Sequence, residues 1–206
     1  MVSSLKNMVV VLATITLISS AAVGGVYLIT EEPIAAAKVA AVNAALEQVL
    51  PEYEATTSQT IEVNDMPIVA HTATVAGKAV GYAIESISKN GFGGAVRLMV
   101  GFDTEGTILN INVLEQKETP GLGTKMAEKG NPLLASLKDK KAAEVNMTVR
   151  KDGGDIDALT AATISSRAYA EAVAIAAEAF EVAAGWQSEA DDVATGATTQ
   201  EGGINE

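Results

Sequence analysis

Two stretches, DALTAATISSR at 157–167 and DDVATGATTQ at 191–200, share one spacing: Asp, two residues, Thr, a small residue, Ala, Thr. A Thr hydroxyl is a donor and an acceptor, and next to an activating group it becomes a nucleophile. The seven-residue pattern alone does not choose between Thr163 and Thr198. In the first copy, Asp157 or Thr160 suits the cap of a helix, and a helix amino terminus offers unpaired N–H groups and a favourable dipole to a phosphate. Ala161 and Ala162 leave room there for a close approach. Ser165 and Ser166 add hydroxyl donors, and Arg167 adds a charge. The second copy lies in a Gly-, Thr- and acid-rich stretch with no helical pattern after it. Thr163 is therefore the expected phosphate position and Thr198 its rival.

A second chemical signal is ETPGLGTKM at 118–126. Pro120 fixes one φ, while Gly121 and Gly123 permit backbone paths closed to other residues. Such a segment is either a tight loop or a place where backbone approaches a flat ligand. In the second case Leu122 presents an apolar side chain and Glu118 and Thr119 polar ones. The two stretches together predict a site formed by Glu118, Thr119, Gly121, Leu122, Gly123, Thr160, Ala162, Thr163 and Ser165.

The elements that must position these residues read as α+β. Met8 to Thr30 contains 23 residues without a charge, enough at helical rise for ~35 Å against a hydrocarbon core of ~30 Å. The segment predicts a single uncleaved membrane helix. Lys6 precedes it and Glu31 and Glu32 follow, which predicts a short cytoplasmic amino terminus in residues 1–30 and a main domain outside the cytoplasm. Pro33 suits a first helical position, so a new helix is expected over 34–50. From about Thr60 the pattern becomes β-branched and alternating. IVAHTATVAG, AVGYAIESIS, AVRLMVGFD and TILNINVLEQ predict antiparallel strands, the last two joined at DTEG by a turn with Gly106 at positive φ. NGFGG at 90–94 reads as a flexible connection. Asn131 and Pro132 start a short helix, EVNMTVRKD reads as a further strand before a turn at Gly153 and Gly154, and a long helix is expected over 163–184. Its apolar stripe is Ile164, Ala168, Ala172, Ile175, Ala179 and Val182. The expected domain occupies 31–185, with its sheet against the 34–50 and 164–184 helices, and residues 186–206 read as a disordered acidic tail.

Composition removes several classes of function. Fourteen basic against 26 acidic side chains give a net charge of −12, which repels nucleic acid. With no cysteine and a single histidine, His71, the chain offers no thiolate, iron–sulfur or His-rich metal site. His71 is expected to be a surface or structural residue. No Gly-rich dinucleotide fingerprint follows a strand, so substrate chemistry falls to partners.

GFGGAVRLMVGFDTEGTILNINVLEQKETPGLGTKM at 91–126 and DALTAATISSRAYAEAV at 157–173 resemble the FMN-binding domain of the G subunit of the Rnf ion-translocating electron-transport complex, which is related to the C subunit of the Na+-translocating NADH:quinone reductase. The resemblance spans about residues 30 to 185. It implies FMN joined through its phosphate to the final Thr of an Asp-x-x-Ser/Thr-Gly-Ala-Thr pattern, here Thr163, by a separate flavin transferase that uses FAD. It further implies an electron-carrier subunit, not catalytic alone, in an inner-membrane complex that couples ferredoxin and NAD+ electron transfer to Na+ or H+ movement. The quinone-reductase subunit, or an anchored scaffold without flavin, is the alternative. The chain departs from the pattern at Ala161, where the family has Gly; the copy ending at Thr198 has that Gly. Ala161 is compatible with the site if its φ is negative.

Overall fold

The computed structural model describes residues 5–195, and the chain divides into two units, Met1–Asn43 and Ala44–Glu206. The first unit consists of helix α1 (Leu5–Val49) up to Asn43. Its apolar stretch has a mean hydropathy of 2.2 with none of that window buried, so it is long and apolar enough to cross a bilayer. Two of its hydroxyls are satisfied within the helix: Thr14 Oγ1 donates to the Val10 carbonyl at 2.8 Å and Thr30 Oγ1 to that of Val26 at 2.9 Å. Water is not needed as their partner. Pro33 lies inside α1 rather than opening a second helix. It removes one hydrogen bond and crowds the preceding turn, a cost of ~3 kcal/mol, but the alanines at 35–37, 40 and 41 are the strongest helix formers and carry the helix onward.

In the second unit five strands, β1 (Ala55–Val63), β2 (Met66–Val75), β3 (Lys78–Ser88), β4 (Val96–Phe102) and β5 (Ile108–Glu115), form one antiparallel sheet in sequential order. β1 is not among the four expected strands, whose first begins at Ile68; its Thr and Ser residues at 56–58 pair with β2 as edge-strand residues. Two-residue turns fix the register. Asn64 and Asp65 join Val63 to Met66, Ala76 and Gly77 join Val75 to Lys78, and all four have positive φ, the geometry that matches strand twist. Between β4 and β5, Asp103 Oδ1 accepts the N–H groups of Glu105 and Thr107, both at 2.8 Å, and Gly106 has the expected positive φ of 81°.

α3 (Thr163–Thr195) lies on one face of the sheet, chiefly on β3 and β4. Ala168, Ala172, Val173, Ala176, Ala179 and Ala183 are buried, and their small side chains let the helix approach the strands closely. Phe180 anchors the crossing: its ring stacks on Phe102 at 4.9 Å and meets Tyr82 edge-on at 5.4 Å. Ile164 and Val182, the ends of the expected stripe, are exposed instead. The helix passes the expected end at Ala184, continuing through the start of the stretch read as a disordered tail; Thr198 lies outside the described residues.

On the opposite sheet face lies the last turn of α1, where Ala45, Leu46 and Val49 are buried. A Cβ on Gly101 would fall 2.0 Å from the Val49 carbonyl oxygen, so the glycine is what admits this turn. Asn110 and Asn112 donate to the Gln48 carbonyl and side-chain oxygens, each at 2.9 Å. Further along the same face, buried His71 joins Ser58 (Nδ1 to Oγ, 2.8 Å) to Glu85 (Nε2 to Oε1, 3.0 Å). The hydrogen bond with His71 holds the Glu85 carboxyl below its ordinary range, with burial opposing and the His71 and Arg97 charges assisting. His71 is thus structural, a strand-to-strand clamp.

α2 (Pro132–Leu137) starts as read: Asn131 accepts the Leu134 N–H at 3.0 Å and Pro132 opens the helix. The strand expected over 144–152 is absent. That segment forms 3-10 turns at Ala142–Glu144 and Arg150–Asp152 and a single parallel bridge between Val149 and Ile156. With no neighbouring strand to pair, its polar groups bond locally, as when the Asn146 N–H donates to Asp155 at 2.8 Å.

Candidate functional site

Two local structures meet at the start of α3. In the first, Thr119-Pro120-Gly121-Leu122 is a tight turn closed by the Leu122 N–H to the Thr119 carbonyl at 3.1 Å. Proline stands second and Gly121, at φ 73°, third, the arrangement of a type II turn. A Cβ on Gly121 would meet open space, so that glycine serves the turn and not a close approach. Gly123 is different. Its Cβ would lie 2.6 Å from both Glu118 Cβ and Ser165 Oγ, which shows how tightly the loop seats on the helix. Glu118, only 4% exposed, is the pin: Oε1 accepts the Gly93 N–H at 3.0 Å and Oε2 accepts the Ser165 hydroxyl. One carboxyl group thereby ties three segments together.

In the second local structure, α3 is preceded by a turn at Thr160 and Ala161. Neither Asp157 nor Thr160 caps the helix as expected. Asp157 pairs with Arg150 at 2.8 Å and Thr160 is exposed. Buried Ser166 reaches back instead, accepting the Leu159 N–H and donating to the Ala162 carbonyl, each at 2.9 Å. Ala162 precedes the first helical residue, and its methyl group has no acceptor for the first-turn N–H groups. Those donors at Thr163, Ile164 and Ser165 are where an anion would be held.

Between the loop and the helix start lies a pocket of ≈ 340 Å³. Of the residues read from sequence, Thr119, Leu122, Gly123, Ala162, Thr163 and Ser165 line it. Glu118 lies beneath as the pin, and Gly121 and Thr160 fall outside the lining. Ala161, read as leaving room for a close approach, lines it too, whereas sequence reading missed Phe92 and Ile164 as lining residues. Phe92 was concealed because NGFGG looks like a mere flexible link; the available signal was an aromatic residue set between glycines. Arg167, read as a possible anion ligand, is committed to Asp152 through two bonds of 2.7 and 2.8 Å. Among the described residues, no basic side chain lines the pocket.

The mouth is apolar to an unusual degree. Among the described residues of the second unit, four large hydrophobic side chains are exposed, and three of them, Phe92 (67%), Leu122 (39%) and Ile164 (47%), surround this one pocket. Scattered exposed apolar residues need no explanation, but clustering around a concavity marks a binding site.

Ala161 has φ 62°, not the negative value that would make alanine as comfortable as glycine. Left-handed backbone costs an L-residue ~1–2 kcal/mol, partly offset because glycine loses more freedom on folding. Ala161→Gly should therefore raise stability by up to ~1 kcal/mol and the melting temperature by ~3 °C. Differential scanning calorimetry measures this; an unchanged or lower Tm would mean that the turn does not hold this conformation in solution.

A family model described as FMN-binding domain matches residues 91–178, a range that contains every residue lining the pocket. The chain is also similar to proteins named as the G subunit of the ion-translocating oxidoreductase complex. The match to that of Shewanella baltica (strain OS223) is 42% identical over 112 residues, 53% of each chain. For Vibrio vulnificus (strain YJ016) it is 36% over 157 residues, 70% of this chain and 74% of the relative. For Vibrio atlanticus (strain LGP32) it is 32% over 185 residues, 84% and 88%. With relatives more than 30% identical matched over 70% and 84% of its length, the chain belongs to the G-subunit family of the ion-translocating oxidoreductase complex and carries its FMN-binding domain.

Proposed function

We propose that this chain is an electron-carrier subunit of a membrane-bound, ion-translocating oxidoreductase, and that it carries FMN joined by a phosphoester to Thr163. The observation that bears most weight is the pairing, in one pocket, of an uncapped helix start at Thr163 with the apolar mouth of Phe92, Leu122 and Ile164. These residues fit the two halves of the cofactor. The first-turn N–H groups and the helix dipole suit a phosphate where no cationic side chain is at hand. The apolar mouth suits a flat ring system, and the flavin supplies reversible electron acceptance that none of these side chains has.

Each pocket residue then has a role. Thr163 supplies the ester oxygen. Attachment by a separate flavin transferase would join its Oγ to the FMN phosphorus of FAD, the pyrophosphate P–O bond giving way to release AMP and the hydroxyl proton passing to solvent. Ala162 keeps the approach to that oxygen open, and Thr119 offers a hydroxyl from the facing loop. Glu118 and Ser165 hold loop and helix at a fixed separation. The electrons pass between ferredoxin and NAD+ through neighbouring subunits, coupled to Na+ or H+ movement. Intact mass of the chain coexpressed with its flavin transferase tests the reading: one FMN phosphoester supports it, and an unmodified mass under conditions that load a known acceptor overturns it.

The charges on either side of the apolar stretch of α1 support an orientation with the second unit outside the cytoplasm, Lys6 on the cytoplasmic side and Glu31 and Glu32 beyond the membrane. A reporter enzyme that works only in the cytoplasm, fused after the last residue, should be silent. Strong reporter activity would reverse the orientation.

A further inference from the structure

We propose that Phe92 covers one face of the flavin ring, a role that rests on the FMN reading above. The loop bearing Phe92 is held too closely to be a flexible link. A Cβ on Gly91 would sit 2.2 Å from the Gly94 carbonyl oxygen and 2.6 Å from Glu118 Oε1, and one on Gly93 would sit 1.8 Å from the Lys117 carbonyl oxygen. Neither position accepts a side chain, because the backbone on each side of Phe92 is pressed onto its neighbours. The Gly93 N–H is further fixed by its bond to Glu118 Oε1 at 3.0 Å.

The consequence for Phe92 is geometric. Its loop is fastened on both sides, yet its own ring is 67% exposed and stands at the pocket containing Thr163. It contributes little to the core, so the fold does not account for a large aromatic side chain here. The same Glu118 carboxyl that holds this loop also accepts the Ser165 hydroxyl, so Phe92 and the start of α3 are positioned from one point. A ring held at a set distance from a phosphate anchor recognises a ligand with the same division, a flat aromatic system at one end and a phosphate at the other. Aromatic faces attract such ring systems in offset or edge-on contact. The lining carries no charged side chain to direct a different kind of head group into the mouth.

The test uses the full chain matured with its flavin transferase, as wild type and as Phe92→Ala, Phe92→Leu and Phe92→Tyr. Intact mass reports attachment, far-UV circular dichroism reports the fold, and iodide quenching of flavin fluorescence with visible circular dichroism reports cover of the ring. Phe92→Ala should keep the flavin mass and the far-UV spectrum, while iodide quenching rises about twofold as a second ring face opens to solvent. The visible dichroism should weaken in parallel. Phe92→Tyr should match the wild type, and Phe92→Leu should fall between them. Flavin mass with quenching and visible dichroism unchanged in Phe92→Ala would overturn this role alone. An altered electron-transfer rate in the assembled complex beside that unchanged signature would overturn it too, reassigning Phe92 to contact with a neighbouring protein of the complex. A wild-type chain without flavin would overturn the FMN reading and this inference with it.

Discussion

Thr163→Ala should abolish covalent flavin entirely, whereas Thr198→Ala should leave it in full. Thr163 is partly exposed and lines the pocket, so its hydroxyl is accessible to a donor. No nearby oxygen is a good substitute. The Ser165 hydroxyl is engaged by Glu118, that of Ser166 is buried between Leu159 and Ala162, and Thr160 lies outside the lining. Thr119 shares the pocket but comes from the facing loop, away from the first-turn N–H groups. Truncation at Thr163 should change stability by only ~0.5 kcal/mol, because the side chain lies outside the core. Loss of flavin would then be chemical and not a matter of folding. Thr163→Ser keeps a hydroxyl and should be flavinylated in part, which separates an ester-forming role from simple helix capping. Peptide mapping decides the matter: flavin on a fragment containing Thr198 and lacking Thr163 would sink the assignment.

The choice between the two copies shows how far the sequence reaches. Four of the strands and the start of α3 follow from alternation and helical spacing, since the local pattern and the final burial agree there. The strand expected over 144–152 fails because alternation describes one strand and cannot supply its neighbour. Pro33 misleads for a related reason: a proline suits a helix start, but strong helix formers on its far side also let the helix run through it. At the site, Thr119, Leu122, Gly123 and Thr163 were legible as residue types at telling spacings. The Glu118 bridge was not, because it joins residues 93, 118 and 165 through contacts that only the assembled sheet and helix bring together. The positive φ of Ala161 had one signal, the Gly that the resembled pattern carries there, but nothing in the alanine itself announces left-handed backbone.

Gly123→Val should damage the pocket while sparing the sheet, and the packing around Gly123 sets the size of the effect. A Cβ alone would fall 2.6 Å from Glu118 Cβ, 2.6 Å from Ser165 Oγ and 2.9 Å from Glu118 Oε2. These neighbours have little freedom to move, because the Glu118 carboxyl is held by both the Gly93 N–H and the Ser165 hydroxyl. The loop must separate from α3, at ~1–3 kcal/mol for overpacking and ~1–3 kcal/mol more if the buried Glu118–Ser165 bond opens. The core under Phe102, Tyr82 and Phe180 lies elsewhere on the sheet, so far-UV circular dichroism should be retained. Thr163 and the facing loop would no longer be held at one separation, so flavinylation and visible dichroism should fall sharply. Gly121→Ala is the matched control. Its Cβ meets open space, and its φ of 73° costs alanine only ~1 kcal/mol, so stability should drop slightly while the flavin signature persists. Equal loss of flavin in the two variants would mean that the turn as a whole matters, whereas an unaltered flavin spectrum in Gly123→Val would remove the close loop-to-helix contact from the site.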